Sequence, residues 1–206
     1  MRADLDLLEA WKEGDASAGR ELFARHFNSV FRFFRNKVDG VAEDLTQQTF
    51  MACVRGRDSF RGDSSFRTYL FMIARKRLYS YLRERHRKGV DALGELSIAD
   101  VSGPSPSGVM AGREEQRLLL RALRRLPLDM QVALELHYWE DLKVREIAEV
   151  LEVPSGTIKR RLQRARLRLD EIMAELSESP ALLQSTVDNF SAWAQGLRQA
   201  LAPGSE

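Results

Sequence analysis

Polar and cationic residues at helical spacing fill Thr157–Arg168, TIKRRLQRARLR. Ile158, Leu162, Ala165 and Leu169 recur at three- and four-residue steps and predict one buried stripe. Lys159, Arg160, Gln163, Arg164 and Arg166 fall on the other faces. Arg and Lys bond guanine O6 and N7 in the major groove, and Gln bonds adenine N6 and N7. Small Ser155 and Gly156 precede Thr157. They let the helix start approach a phosphate, where backbone N–H groups favour anions. The bland alternative is a surface helix of a bundle. Turn chemistry, apolar spacing and uninterrupted positive charge together favour a duplex-reading helix.

A second cluster has different chemistry. Phe60, Phe66, Tyr69, Phe71, Tyr79 and Tyr81 interleave with Arg61, Arg67, Arg75, Lys76 and Arg77. Rings stack on unpaired bases and cations hold phosphates, so this pattern suits a single strand. Taken one at a time, most of these aromatics are better read as core. A third segment, Glu43–Phe50, carries acids and amides opposite an apolar stripe. That suits a protein partner, although on these residues alone an ordinary exposed face is the better reading. Catalysis finds no support. His26, His86 and His137 are scattered, and Cys53 stands alone, so neither a zinc site nor a disulfide is readable. Cys53 reads as a small buried hydrophobe. No cofactor is implied.

These residues need elements to hold them. Apolar steps through Leu7, Leu8, Trp11, Leu22, Phe23 and Phe27 predict two short helices broken at Gly14-Asp15, with the pattern continuing to Gly40. Ala42–Val54 and Phe66–Arg85 follow as helices, with Arg55–Ser65 a loop between them. Helices are predicted over Arg113–Leu126, Leu128–Trp139, Lys143–Leu151 and Thr157–Leu176. The last pair, joined by Glu152–Gly156, has the signature of a helix-turn-helix. No stretch alternates with period two, so the expected fold is all-α. Gly89–Gly112 contains eleven Gly, Ser or Pro among 24 residues and reads as a flexible linker between two helical domains.

The net charge of +2 conceals segregation. Arg67–Lys88 has eight basic residues and one acid, and Pro154–Leu169 has six basic residues and none. Gly89–Gly112 has three acids and no base. Two basic blocks around an acidic spacer form a footprint for phosphates. No apolar run reaches the roughly 20 residues that span a bilayer. The acidic, amphipathic first 14 residues do not match a signal peptide. The expectation is a soluble, cytoplasmic protein without membrane insertion.

The segments AEDLTQQTFMACVRG and FRGDSSFRTYLFMIARKRLYSYLR resemble the promoter-melting domain, region 2, of extracytoplasmic-function (ECF) sigma factors. LRRLPLDMQVALELHYWEDLKVREIAEVLEVPSGTIKRRLQRARLRL resembles their region 4. Order, linker and missing intermediate domains match over about residues 5–176. The resemblance implies a non-enzymatic factor that binds core RNA polymerase and opens promoter DNA. It implies region 2 over 1–88, a linker over 89–112 and region 4 over 113–176. Asp44, Gln47 and Gln48 match the helix that docks on the polymerase clamp helices. Phe60, Ser64, Phe66, Tyr69, Lys76 and Arg77 match the segment that captures a flipped base of the −10 element. Thr157, Lys159, Arg160, Gln163 and Arg164 match the face that reads the −35 element. Lys76 departs from the pattern, where asparagine is common; a cation offers donors only. The acidic linker would thread toward the RNA exit path. An anti-sigma factor or other regulator is an implied partner.

Residues 177–206 extend past the family's usual end. Leu183, Val187, Phe190, Ala194, Leu197 and Leu201 predict an added amphipathic helix starting at Ser179-Pro180. Its seam packs on region 4 or makes a regulatory contact elsewhere. The rival reading of the whole chain is a dimeric helix-turn-helix regulator with a sensor domain, which would not need the aromatic-basic cluster. A recombinase would need a catalytic serine on a sheet, and neither is readable.

Overall fold

The computed structural model describes residues 3–87 and 114–177, and beyond them residues 180, 183, 184 and 187. Among these residues there are eight α-helices and no strand. The first unit holds α1 (Asp4–Lys12), α2 (Ala16–Arg35), α3 (Ala42–Gly56), a 3₁₀ turn (Arg57–Ser59) and α4 (Phe66–Arg87). The second holds α5 (Glu114–Arg124), α6 (Leu128–Tyr138), α7 (Val144–Leu151) and α8 (Ser155–Leu176). The linker Gly89–Gly112 lies outside the described residues.

The break between α1 and α2 falls where expected, and Asp15 explains it. Its carboxylate accepts the N–H groups of Ser17 and Ala18 (2.8 and 3.2 Å), which caps α2. The α2 helix is long rather than short, at 20 residues. It stops at Arg35 instead of continuing to Gly40, because Asn36 and Lys37 turn inward to polar partners. Gly19 permits α1 to cross α2 closely: a Cβ there would lie 2.7 Å from the Trp11 ring. Leu7, Leu22, Phe34, Phe66, Leu70 and Phe71 fill the first core. Burying each such side chain contributes roughly 1.5–3 kcal/mol.

The second unit has its own core of Leu119, Leu123, Leu126, Leu134, Trp139, Ala165, Leu169 and Met173. Pro127 ends the α5 segment and α6 starts one residue later. Leu183 and Val187 pack against this core, and Arg166 donates to the Val187 carbonyl (3.5 Å). The start of the extension therefore docks on the second unit. Phe190, Ala194, Leu197 and Leu201 lie outside the described residues.

The two units are in contact. The α7 helix packs along α4. The first apolar cluster runs without a break into Leu128, Val132, Ala133, Leu136, Ile147 and Leu151. The sequence reading contained no such docking.

Candidate nucleic-acid interface

The helix-turn-helix is formed by α7 and α8. Glu152 ends α7 in the left-handed region (φ 55°, ψ 44°), a conformation that non-glycine residues adopt uncommonly. Its N–H returns to the Ala148 and Glu149 carbonyls, and the Val153 N–H bonds the Ala148 carbonyl (3.0 Å). This closure satisfies the end of α7 and redirects the chain. Pro154 then precedes α8, which starts at Ser155, two residues earlier than its apolar pattern predicts.

Ile158, Ala165 and Leu169 are buried and Leu162 is half-buried, as the stripe requires. The structure brings Thr157, Lys159, Arg160, Gln163 and Arg164 together on one exposed face. Among the described residues no ion pair or side-chain hydrogen bond reaches these five. The remaining cations of α8 turn elsewhere. Arg161 pairs with Asp129 (3.2 Å), Arg166 with Asp170 (3.4 Å) and Arg168 with Glu171 (2.8 Å). The free positive charge is thus concentrated at the start of α8.

Around the start of α4 the aromatics gather. The Phe60 and Tyr69 rings lie 4.6 Å apart, and Phe66 is 6.5 Å from each. Phe66 is 1% exposed and packs on His26, so its ring belongs to the core. Phe60 is buried too, its carbonyl held by Lys12 Nζ (2.6 Å). Tyr69 and Ser64 are the half-exposed members. Gly56 makes room for Tyr69, since a Cβ there would lie 2.5 Å from Tyr69 Oη. Lys76 follows Tyr69 by seven residues, about 10 Å along the axis and on nearly the same face. Arg77 is half-exposed and turns about 100° further round. Lys76 is not open to solvent ions alone: its Nζ lies 2.9 Å from Glu152, and Arg75 bonds the same carboxylate at 3.1 Å. These bonds hold the Glu152 carboxyl below its usual range.

On α3, Asp44 and Gln47 are exposed and Gln48 half-exposed, with Gln48 donating to Asp44 (2.9 Å). Met51 and Val54 extend this face at helical spacing and are 49% and 46% exposed. Phe27 beside them is 40% exposed and stacks on Phe31 and Phe50. The apolar spacing that includes Phe27 predicts a buried ring there, and the structure leaves it exposed. The signal against it was the excess of rings on α2, more than one buried stripe holds.

The sequence reading also missed a buried polar network. Lys37 donates to the Phe33 carbonyl (2.7 Å) and to Glu135. Asn36 and Gln131 donate to the other Glu135 oxygen (2.6 and 2.8 Å). Arg32 bonds Glu140 at 2.7 Å and Arg67 bonds it at 3.1 Å. The Lys37 and Glu135 side chains are 0% and 2% exposed, and those of Arg32 and Glu140 5% and 4%. Burial pulls the Lys37 ammonium below the ordinary lysine range, against the opposing pull of Glu135. The clue was three polar residues, Arg32, Asn36 and Lys37, inside the ring-rich run Phe31–Val38.

Cys53 is buried and its thiol is pushed up to about 12 by desolvation, which leaves no nucleophile at neutral pH. Among the described residues no group of His, Cys, Asp or Glu is placed to hold a metal ion. Among them, too, no helix is long and apolar enough to cross a membrane.

Comparison with known proteins relates both helical units to known families. The family model described as Sigma-70 region 2 matches residues 22–88, and Sigma-70, region 4, matches residues 116–169. The chain is similar to the ECF RNA polymerase sigma-E factor of Salmonella typhimurium (strain LT2). The two are 32% identical over 177 residues, covering 81% of this chain and 92% of that one. The protein of the same name from Escherichia coli (strain K12) matches over the same shares with the same identity. Among solved structures, the sigma factor RpoE of Bartonella quintana, in complex with the anti-sigma factor NepR, superposes with a TM-score of 0.62 at 27% identity. It covers 75% of this chain and 96% of its own. CnrH, in complex with the cytosolic domain of CnrY, shares the fold with a TM-score of 0.61 over 85% of this chain and all of its own, at 22% identity.

Proposed function

The chain belongs to the ECF sigma factors of the sigma-70 family, and on that premise we propose how its residues divide a sigma factor's work. A sigma factor is a transcription initiation factor and not an enzyme: it binds core RNA polymerase, recognises −35 and −10 elements and promotes opening. Region 2 takes residues 1–88, the linker 89–112, region 4 residues 113–176 and the extension 177–206. The dimeric regulator and recombinase readings fall away with the match to region 2.

Thr157, Lys159, Arg160, Gln163 and Arg164 read the −35 element in the major groove. The observation that carries this is their shared exposure at the start of α8 with no acid opposite among the described residues. Asp44, Gln47 and Gln48 dock on the polymerase. The apolar neighbours Phe27, Met51 and Val54 support this, since an exposed apolar patch rimmed by amides suits a protein partner. Tyr69, Ser64, Lys76 and Arg77 contact the −10 strand, with Phe60 and Phe66 as the ring floor under Tyr69. Lys76 offers donors to a base or phosphate there. The place of work is the cytoplasm. The likeness to a sigma factor solved with its anti-sigma factor supports such an inhibitor, or another regulator, as a further partner.

Transcription by core polymerase reconstituted with this chain tests the assignment. Arg160→Ala and Arg164→Ala each remove a contact worth roughly 1–3 kcal/mol if it is bidentate to a base. A base contact loses discrimination at one −35 position; a phosphate contact weakens all sequences alike. Full output from both variants on a −35-dependent promoter would remove α8 from the groove.

A further inference from the structure

The end of α1 and the loop before α4 hold each other in a reciprocal clamp. Lys12 Nζ donates to the Phe60 carbonyl (2.6 Å) and lies 5.8 Å from the centroid of the Phe60 ring. In the opposite direction, Arg57 Nη1 donates to the Trp11 carbonyl (3.3 Å), and its guanidinium lies 5.1 Å from the Trp11 ring. Each side thus supplies one cation and receives the other on a carbonyl and a ring. Among the described residues, these two are the hydrogen bonds that tie residues 57–64 to a distant element. The remaining bonds of that stretch join near neighbours: Ser59 to Gly56, Phe60 to Arg57, Arg57 to Asp58 and Ser64 to Ser65.

The α1 side of the clamp is rigid. Trp11 is buried, packs edge-to-face on Phe23 (5.1 Å) and leaves no room for a side chain at Gly19. The loop side carries the ring floor of the −10 site, since the Phe60 ring lies 4.6 Å from Tyr69. Past Phe60 the chain turns at Gly62 (φ 80°), and Arg61, Gly62 and Asp63 are exposed. An exposed loop with so few backbone bonds of its own opens at low cost. The clamp therefore sets where Phe60 stands, and with it Tyr69.

We propose that Lys12 and Arg57 are positioning residues for −10 strand capture, fixing the loop from α1 so that Phe60 supports Tyr69 where a base can stack. This rests on the reading of Tyr69 as a strand contact. It brings α1, which lies outside the residues 22–88 that match region 2, into the strand-binding machinery. The placement of the two cations suits positioning rather than phosphate contact. Lys12 is half-buried with its ammonium on the Phe60 carbonyl, and Arg57 is half-buried between Trp11 and Asp58. Arg61 beside them is exposed and has no ion pair among the described residues, so it is the loop cation left open to a phosphate.

The test uses holoenzyme reconstituted with the full chain. The probe is a fluorescein-labelled non-template strand of about 15 nucleotides, taken from the −10 region of a promoter that the wild-type holoenzyme transcribes. Lys12→Met keeps the aliphatic stem and removes the donor and the charge. Losing one well-placed stack should weaken strand binding about tenfold, with affinity for core polymerase unchanged. Lys12→Arg still has donors for the Phe60 carbonyl and should recover most of the loss. Salt dependence separates positioning from direct contact. The slope of log affinity against log salt should match the wild type, whereas a lost phosphate contact would flatten it by about 0.7. Equal strand affinity of Lys12→Met and wild type overturns the proposal. So does a flattened slope, and so does a parallel loss of core affinity, which would make Lys12 a residue of general stability. If Lys12→Met loses helix content, Arg57→Met makes the same comparisons from the other half of the clamp. Tyr69→Ala keeps the two readings apart. Wild-type strand affinity in that variant means that the −10 assignment fails; a loss there but none in Lys12→Met means that the clamp alone fails.

Discussion

On α8, Lys159, Arg160 and Arg164 stand exposed with no acid opposite among the described residues; on α4, Arg75 and Lys76 share one carboxylate, Glu152. Both helices are basic in sequence and both are 22 residues long. The difference comes from what each packs against. α8 buries a single stripe into its own domain core, so its cationic face looks outward. α4 is buried on one side by α3 and meets α7 on another, which brings acids of region 4 onto its bases. Charge density along a helix thus sets what a face can bind, while tertiary packing decides whether that face is available.

The comparison breaks most severely at the buried pairs. Lys37→Met leaves Glu135 buried without its cation, and breaking a buried pair this way costs roughly 3–5 kcal/mol. The docked arrangement should be lost, read as a larger radius of gyration and a lower melting midpoint. Lys37→Met with Glu135→Met should recover most of the loss, since a well-packed apolar pair replaces a buried ion pair at little cost. No recovery would mean that the network orders something other than the docking.

Phe66→Ala separates core from contact within region 2. Its ring is buried, so truncation should cost roughly 3–5 kcal/mol in stability. A pre-melted promoter bubble should not restore activity to the weakened domain. Rescue by the bubble at unchanged melting temperature would instead make Phe66 a strand contact.

Much of this architecture was legible in the chain. Helical periodicity located every described helix, and the stripe Ile158, Leu162, Ala165 and Leu169 correctly turned the bases of α8 outward. These are local signals, carried by residues three and four apart. The docking was not legible, because Lys37 and Glu135 are separated by 98 positions and each reads alone as a solvated charge. Phe27 misled for a related reason: its spacing fits the stripe, but the rings of α2 exceed the surface available to cover them. Phe66 was ambiguous until the positions of His26 and Phe60 fixed it in the core.

The smallest expected effect concerns pH in region 2. His26 Nε2 lies 2.6 Å from Asp4, which favours the imidazolium, but burial outweighs it and lowers the pKa below 6.5. The folded state therefore binds fewer protons than the unfolded state. The contribution of a neutral His26 is complete above the unfolded pKa and is lost as pH falls below it. Between about pH 7.5 and about pH 5.5 the melting midpoint should fall more for the wild type than for His26→Gln. An equal fall would assign the acid sensitivity elsewhere.

Lysine reactivity measures the contrast between the two faces most directly. Lys37 is fully buried at the docked interface and Lys159 is exposed on the open face. Brief treatment of the free chain with an amine-reactive reagent, read by mass spectrometry, should label Lys159 readily and leave Lys37 protected. Labelling of Lys37 at the rate of Lys159 in the free wild-type protein would contradict the docked arrangement.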